Sequence, residues 1–192
     1  MAEKDNAESI QHAAPLIYRS EHSLANKFAR ALWSIVWLLF FRPTPRFLRG
    51  WRRFLLRLFG AKIGNGAKVA ASTMIWAPWN LTMEECASLS DFVICYNVDK
   101  VYLGPSAIVS QFSILCTASH DIRYLNFPLV TKSIIIKERA WVGMDSFVGM
   151  GVTIGEFAVV GARSSVFKDV EQMSVVAGSP AKFIKNREII HD

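Results

Sequence analysis

The chain has 192 residues, of which 52% are hydrophobic and 20% are charged, and this fits one domain of ordinary size with a buried core. Its formal net charge of +6 is unevenly distributed, because five arginines fall between Arg46 and Arg57. Since no nucleic-acid recognition motif accompanies them, we expect no DNA or RNA partner and look for a separate partner of the basic segment.

The cysteines and the first residues indicate the compartment. Cys86, Cys95 and Cys116 are odd in number and have no CxxC spacing, which argues against a disulfide framework and favours a reducing environment. The opening, MAEKDNAESIQH, lacks the basic and then apolar order of a secretory signal. We therefore expect a cytoplasmic protein whose residues 1–22 form a polar, disordered tail.

Residues 23–60 are predicted to be helical, apolar and basic. The stretch ALWSIVWLLFF, residues 31–41, is shorter than the roughly 20 residues that a spanning helix needs. RPTP then breaks the helix, and RFLRGWRRFLLRLFG has the pattern of a basic amphipathic helix. Two roles are open: a cap on the domain that follows, or peripheral contact of residues 31–59 with an anionic membrane surface at the inner face of the cytoplasmic membrane.

From Ile63 onward an aliphatic or similar residue recurs every six residues, and the residue four positions later is usually small. A period of six fits neither a helix nor an alternating strand, but it fits a coil with three flat faces and one inward residue per face. Two slips of two residues predict coils of about 20 residues first and about 18 later. Glycines that follow the aliphatic position, such as Gly64 and Gly104, are expected to permit the corner turns. The predicted inward residues are Ile63, Val69, Ile75, Leu81, Met83, Leu89, Cys95, Val101, Leu103, Val109, Leu115, Ile136, Val142, Val148, Ile154, Val160 and Val166.

The repeat predicts a mainly β protein, a parallel β-helix over residues 61–176, followed by a turn and a short C-terminal helix in residues 177–192. It fails at residues 121–133, which we interpret as an extended loop from one corner.

His120 stands where the repeat breaks. Loops on rigid scaffolds often carry function, and an imidazole can accept a proton near neutral pH. Cys116 could pair with it for covalent catalysis, but it follows the inward Leu115, which favours packing.

The region Ile63–Arg187 resembles the left-handed β-helix acyltransferases, and the left hand is taken from this resemblance. PWNLTM, CTASHDI, FPLVTKSIII, AWVG and VVAGSPAKFIKNR are similar to the exopolysaccharide O-acetyltransferases of the colanic acid group. The resemblance implies that His120 is the general base. Asp121 follows it directly and could orient the imidazole, but adjacent side chains often point apart. A zinc hydrase on this fold is disfavoured because it needs three histidine ligands, so no metal is expected.

The resemblance also implies a homotrimer with acetyl-CoA as co-substrate in the groove between subunits. The matching positions for acetyl-CoA are Met144, Ala162, Lys168, Lys182 and Lys185, and Trp141 could form a wall of the same site. Asn97 lies roughly where related sugar acetyltransferases have an asparagine that touches the acceptor, and Tyr96 could stack on a sugar. Structural alternatives stay open, since Trp141 could fill a corner and the lysines could simply be solvated.

The function expected from the resemblance is O-acetylation of a sugar hydroxyl in a bacterial surface polysaccharide or its lipid-linked precursor, by direct transfer. Two alternatives remain: N-acetylation of an amino sugar or antibiotic, and a non-catalytic β-helix that serves as an assembly module. A fold alone does not exclude either.

Overall fold

The computed structural model describes residues 23–190, so the predicted tail at 1–22 lies outside the described residues. Helix α1 (Leu24–Val36) continues through a π-helical turn (Trp37–Phe41), and a 3-10 turn (Arg46–Leu48) leads into helix α2 (Arg49–Leu58). The two prolines of RPTP separate these helical runs, as the sequence predicts.

Short strands then build five complete coils and part of a sixth, and a hairpin interrupts the series after the third coil. In chain order the strands are β1 (Lys62–Ile63), β2 (Lys68–Val69), β3 (Met74–Ile75), β4 (Leu81–Met83), β5 (Ser88–Leu89), β6 (Ile94–Tyr96), β7 (Val101–Leu103), β8 (Ile108–Val109), β9 (Ile114–Cys116), β10 (Ala118–His120), β11 (Leu129–Thr131), β12 (Ile134–Ile136), β13 (Trp141–Val142), β14 (Phe147–Val148), β15 (Thr153–Ile154), β16 (Val159–Val160), β17 (Ser165–Val166), β18 (Ser174–Ala177) and β19 (Lys182–Asn186). Every third strand stacks in parallel on its equivalent, which gives three walls around one core.

The register confirms the period read from the sequence. Met83 pairs with Ile63, twenty residues earlier, whereas Ile154 pairs with Ile136, eighteen residues earlier. All predicted inward residues are buried, none more than 7% exposed. A parallel β-helix is therefore confirmed.

The glycines of the repeat serve a different purpose from the one predicted. Positive φ angles at the corners belong mostly to other residues, such as Ser106 (55°) and Arg139 (50°), while Gly64 and Gly104 have none. A Cβ on Gly104 would lie 2.8 Å from the amide nitrogen of Glu138 in the next coil. These glycines are needed for the close approach of neighbouring coils, so the prediction of turn geometry is wrong.

Gly104→Ala is expected to lower the free energy of unfolding by about 1–3 kcal/mol, because the added methyl group must push two backbones apart. Gly50 is the matched control, since a Cβ there meets nothing within 4 Å on helix α2. Gly50→Ala is expected to raise stability by about 0.5–1 kcal/mol through lower chain entropy. Urea unfolding of both variants checks the opposite signs, and a loss of equal size in both would contradict this explanation.

Side chains of the two helices bind the open edge of the first coil. The indole nitrogens of Trp33 and Trp37 donate to the carbonyls of Ile75 (2.7 Å) and Thr73 (2.8 Å). Three arginines donate to further carbonyls of this coil: Arg52 to Val69, Arg53 to Ala67 and Arg57 to Ile63. Leu55 and Leu56 are buried beneath them. The helices thus lie over the end of the core and satisfy backbone groups that no earlier coil pairs.

The apolar helical run is longer than residues 31–41. It extends from Leu24 to Phe41, and its 18 residues, with a mean hydropathy of 1.3, would by length and composition be enough to cross a membrane. Only 11% of this stretch is buried. The expectation that it is too short is therefore corrected, because the helix begins seven residues before the most apolar part.

The predicted C-terminal helix is wrong over residues 182–186. This segment is strand β19, which pairs antiparallel with β18 after a turn at Gly178 and Pro180. The last coil would otherwise leave the edge of β18 with unpaired backbone groups, and a returning strand covers it.

Candidate active site

The loop that carries His120 is a β-hairpin. β10 and β11 pair antiparallel, with His120 opposite Leu129, and the amide of Lys132 donates to the carbonyl of Thr117 (3.0 Å) at the base. We call residues 117–132 the His120 hairpin. His120 lies at the outer end of β10 rather than at the base, and its side chain is exposed in the single chain.

A backbone carbonyl orients the imidazole. Nδ1 of His120 lies 2.6 Å from the carbonyl oxygen of Phe127 across the hairpin. A carbonyl only accepts, so Nδ1 carries the proton of the neutral ring and Nε2 carries the lone pair. Phe127 has a φ of 43°, a left-handed conformation that costs a residue with a Cβ on the order of 1 kcal/mol. The fold of the hairpin tip therefore favours the tautomer of His120 in which Nε2 carries the lone pair.

Asp121 makes a different contact from the one predicted. Its carboxylate accepts from the guanidinium of Arg123 (2.6 and 2.9 Å), and its amide donates to the carbonyl of Pro128 (3.0 Å). The hydrogen bonds from Arg123 lower the pKa of Asp121, so the carboxylate stays charged. Asp121 thus supports the hairpin tip, whereas the carbonyl of Phe127 orients Nδ1 of His120. An orienting action of Asp121 on His120 stays a prediction.

The thiols favour direct over covalent transfer. The thiol of Cys116 donates to the carbonyl of Ala118 (3.2 Å), a bond that a thiolate could not make. Cys95 is fully buried, and this burial raises its pKa to about 12. Within residues 23–190, no three His, Cys, Asp or Glu side chains are grouped so that they could hold a metal ion.

The two predicted acceptor residues differ in accessibility. Asn97 is 0% exposed, and its amide exchanges hydrogen bonds with the backbone of Ala77 (3.0 and 2.6 Å). Asn97 could contact a sugar only by breaking both hydrogen bonds. We therefore change its predicted role from acceptor binding to support of the coil. Tyr96 is 37% exposed, packs edge-on against Trp76 with ring centroids 5.6 Å apart, and pairs with Cys116 on the strand that leads to the hairpin.

Three predicted donor residues lie on the outside of the later coils. Trp141 is exposed on β13, and its indole donates to the hydroxyl of Ser110 (2.9 Å). Met144 and Ala162 are exposed at the same corner of successive coils. A Cβ on Gly143 would lie 2.7 Å from the amide nitrogen of Ala162, so the backbones of the two coils are closely stacked at this corner.

The three predicted lysines lie at the C-terminal end of the β-helix. Lys168 and Lys182 line one shallow depression there, together with Phe167 and Pro180. Lys185 is exposed on β19, opposite Val175.

Two features of the structure were missed by the sequence analysis. The Phe127 carbonyl is a backbone group without a sequence signal, and the Asp145–Arg163 pair (3.2 Å) joins residues 18 apart, as the repeat length allows.

Comparison with known proteins identifies a relative of this chain. No protein-family model matches the chain. A protein of Escherichia coli (strain K12), named as the colanic acid biosynthesis acetyltransferase WcaF, is 44% identical over 156 residues, which cover 81% of this chain and 86% of the relative.

Solved structures show the same fold. A hexapeptide-repeat acetyltransferase of Vibrio cholerae superposes with a TM-score of 0.79 at 21% identity, covering 87% of this chain and 95% of that one. A galactoside acetyltransferase in complex with coenzyme A gives 0.79 at 21% identity, with 88% and 86% covered. On the strength of the 44% identity, the chain belongs to the WcaF-like family of hexapeptide-repeat acetyltransferases.

Proposed function

We propose that this protein is an acetyl-CoA-dependent O-acetyltransferase whose acceptor is a sugar hydroxyl of a bacterial surface polysaccharide or its lipid-linked precursor. The observation that carries the proposal is the contact between Nδ1 of His120 and the Phe127 carbonyl, which leaves Nε2 as the basic nitrogen. It occurs in a chain that is 44% identical to an acetyltransferase named for colanic acid biosynthesis.

The reaction is a direct transfer. Nε2 of His120 takes the hydroxyl proton while the sugar oxygen attacks the thioester carbonyl carbon, and backbone amides stabilise the oxyanion. The tetrahedral intermediate then expels the CoA sulfur, which takes the proton from the imidazolium. The products are an acetyl ester and the free thiol of CoA. The hydrogen-bonded thiol of Cys116 and the buried Cys95 support this route over an acyl-enzyme.

The donor site is proposed on the later coils. We place the pantetheine arm along the exposed residues Met144 and Ala162, which lie at the same corner of successive coils, and Trp141 forms a wall. Lys168, Lys182 and Lys185 supply positive charge for the phosphates. The groove needs a second wall, which a neighbouring subunit of a homotrimer provides. A galactoside acetyltransferase of the same fold is in complex with coenzyme A, which supports coenzyme A as the ligand of this site.

The acceptor is proposed to lie between His120 and Tyr96, whose exposed ring can pack on a sugar face. A lipid-linked acceptor would place the enzyme in the cytoplasm, peripheral to the inner face of the membrane. An amine acceptor is the alternative.

Calorimetric titration with acetyl-CoA tests the donor site without knowledge of the acceptor. We expect saturable binding near one site per chain. Lys182→Ala is expected to weaken binding about 5- to 10-fold by removing a charged hydrogen-bond donor from phosphate. Lys62→Ala, an exposed strand lysine at the opposite end of the β-helix, is the control and should bind like the wild type. Absence of binding by the folded protein would contradict the proposal.

A further inference from the structure

The segment of residues 23–60 combines apolar side chains with charge of one sign. It holds eight basic residues and no acidic residue, so it carries +8. Because the whole chain carries +6, the other residues together carry −2. The net positive charge of this protein therefore comes from residues 23–60.

Helix α1 has two apolar faces on opposite sides. Trp33 and Trp37 face the first coil and donate to its carbonyls. A second stripe recurs at helical spacing on the outer side, and helix α2 with its preceding turn has a similar one. The stripe on α1 consists of Leu24, Phe28, Leu32, Ile35 and Leu39, and that on α2 of Phe47, Trp51, Phe54 and Leu58, all between 41% and 82% exposed.

The two stripes meet. The indole nitrogen of Trp51 donates to the carbonyl of Phe40 (2.9 Å), and the ring of Trp51 stacks on Phe54 with centroids 5.5 Å apart. This contact joins the end of α1 to the exposed side of α2. We call the nine side chains of both stripes the outer face.

The basic residues of this segment differ in their contacts. Arg52, Arg53 and Arg57 donate to carbonyls of the first coil and belong to the cap. Lys27, Arg42, Arg46 and Arg49 remain exposed on the same segment as the outer face. Arg46 and Arg49 also line a depression beside Asp91 of the β-helix. A partner of this face must therefore accept both large apolar side chains and several cations.

We propose that the outer face binds the surface of an anionic phospholipid bilayer, with α1 and α2 lying in the plane of the membrane. A bilayer supplies both an apolar layer and a negative headgroup layer. A second copy fits less well, since face-to-face contact would bring together two segments of residues 23–60, each with eight basic residues and no acidic residue. Helix α1 lies along the membrane instead of crossing it, because Trp33 and Trp37 attach its inner side to the β-helix.

Vesicle sedimentation with the full chain tests this proposal. The protein is expected to pellet with vesicles that contain phosphatidylglycerol, to bind phosphatidylcholine vesicles far more weakly, and to be released by salt. Arg46→Ala with Arg49→Ala should weaken binding to anionic vesicles about 25-fold, at roughly 1 kcal/mol per charge. Phe54→Ser should weaken it about tenfold or more. Phe112→Ser on the β-helix is matched in residue type and exposure and should have no effect.

Three outcomes would overturn the inference. Equal recovery in the supernatant with both vesicle types excludes lipid binding. A change of molecular mass in Phe54→Ser without a change in vesicle binding would assign the face to a contact between copies. Resistance of the bound protein to alkaline carbonate extraction would mean that α1 spans the bilayer. Acetyl-CoA titration of the same variants should match the wild type, so failure here is distinguishable from failure of the proposed transferase activity.

Discussion

Replacing His120 with alanine is expected to lower kcat for acetyl transfer by about 10²- to 10⁴-fold, the usual contribution of a placed general base. The Phe127 carbonyl presents the ring with Nε2 as the basic nitrogen, and alanine leaves no group to take the hydroxyl proton. Since the side chain is exposed on the hairpin, its loss should leave the free energy of unfolding nearly unchanged. Steady-state kinetics and urea unfolding of the same preparation separate the two effects.

A second hairpin variant serves as the control for His120. Asp121→Asn removes the charge that binds Arg123, while His120 and its contact with Phe127 stay in place. We expect a loss of kcat below about tenfold, because only the hairpin tip is loosened. Equal losses in both variants would mean that hairpin order, and not proton transfer, limits the rate, and an unchanged kcat in His120→Ala would exclude the general-base role.

Arg52→Ala is expected to destabilise the fold by about 2–4 kcal/mol, because a buried charge-assisted network is lost and its acceptors are left unpaired. The guanidinium donates to the carbonyl of Val69 (2.8 Å), the hydroxyl of Thr44 (2.8 Å) and the carbonyl of Pro45 (3.0 Å). Burial lowers the pKa of Arg52, yet a guanidinium keeps its charge in proteins. The residue thus joins the first coil to the RPTP turn.

Arg49→Ala is the matched control, since it removes the same side chain from the same helix at an exposed position. We expect a change of less than about 0.5 kcal/mol. Urea midpoints measured at one protein concentration compare the two variants, because any oligomer would make stability depend on concentration. Equal midpoints would contradict the capping role of Arg52.

The sequence predicts the core well because the pattern is local. Each inward residue is followed by its equivalent at a fixed spacing, so the coil and its interior can be read without knowledge of distant contacts. The backbone conformations at the corners are harder to predict from the sequence. Left-handed φ angles at Arg139 and Phe157 run against residue preference, and the glycines that should have taken them serve coil spacing instead.

The errors at the candidate site have physical causes. Asn97 breaks the repeat, and this break suggested a role in acceptor binding. Its side-chain amide instead forms two hydrogen bonds with the backbone of Ala77 in the core. The carbonyl of Phe127 belongs to the backbone and carries no mark in the sequence. The five arginines between Arg46 and Arg57 look equivalent in a linear pattern, and only the packing of α2 on the first coil divides them into cap and outer face.

The most direct test of the account is transfer of an isotopically labelled acetyl group from acetyl-CoA to a lipid-linked saccharide fraction, followed by mild alkali. An ester is cleaved under these conditions and an amide is stable. We predict label in the saccharide that depends on His120 and is released by alkali. Alkali-stable label would identify an N-acetyltransferase, and absence of transfer by a protein that binds acetyl-CoA would contradict the assignment of a sugar hydroxyl as the acceptor.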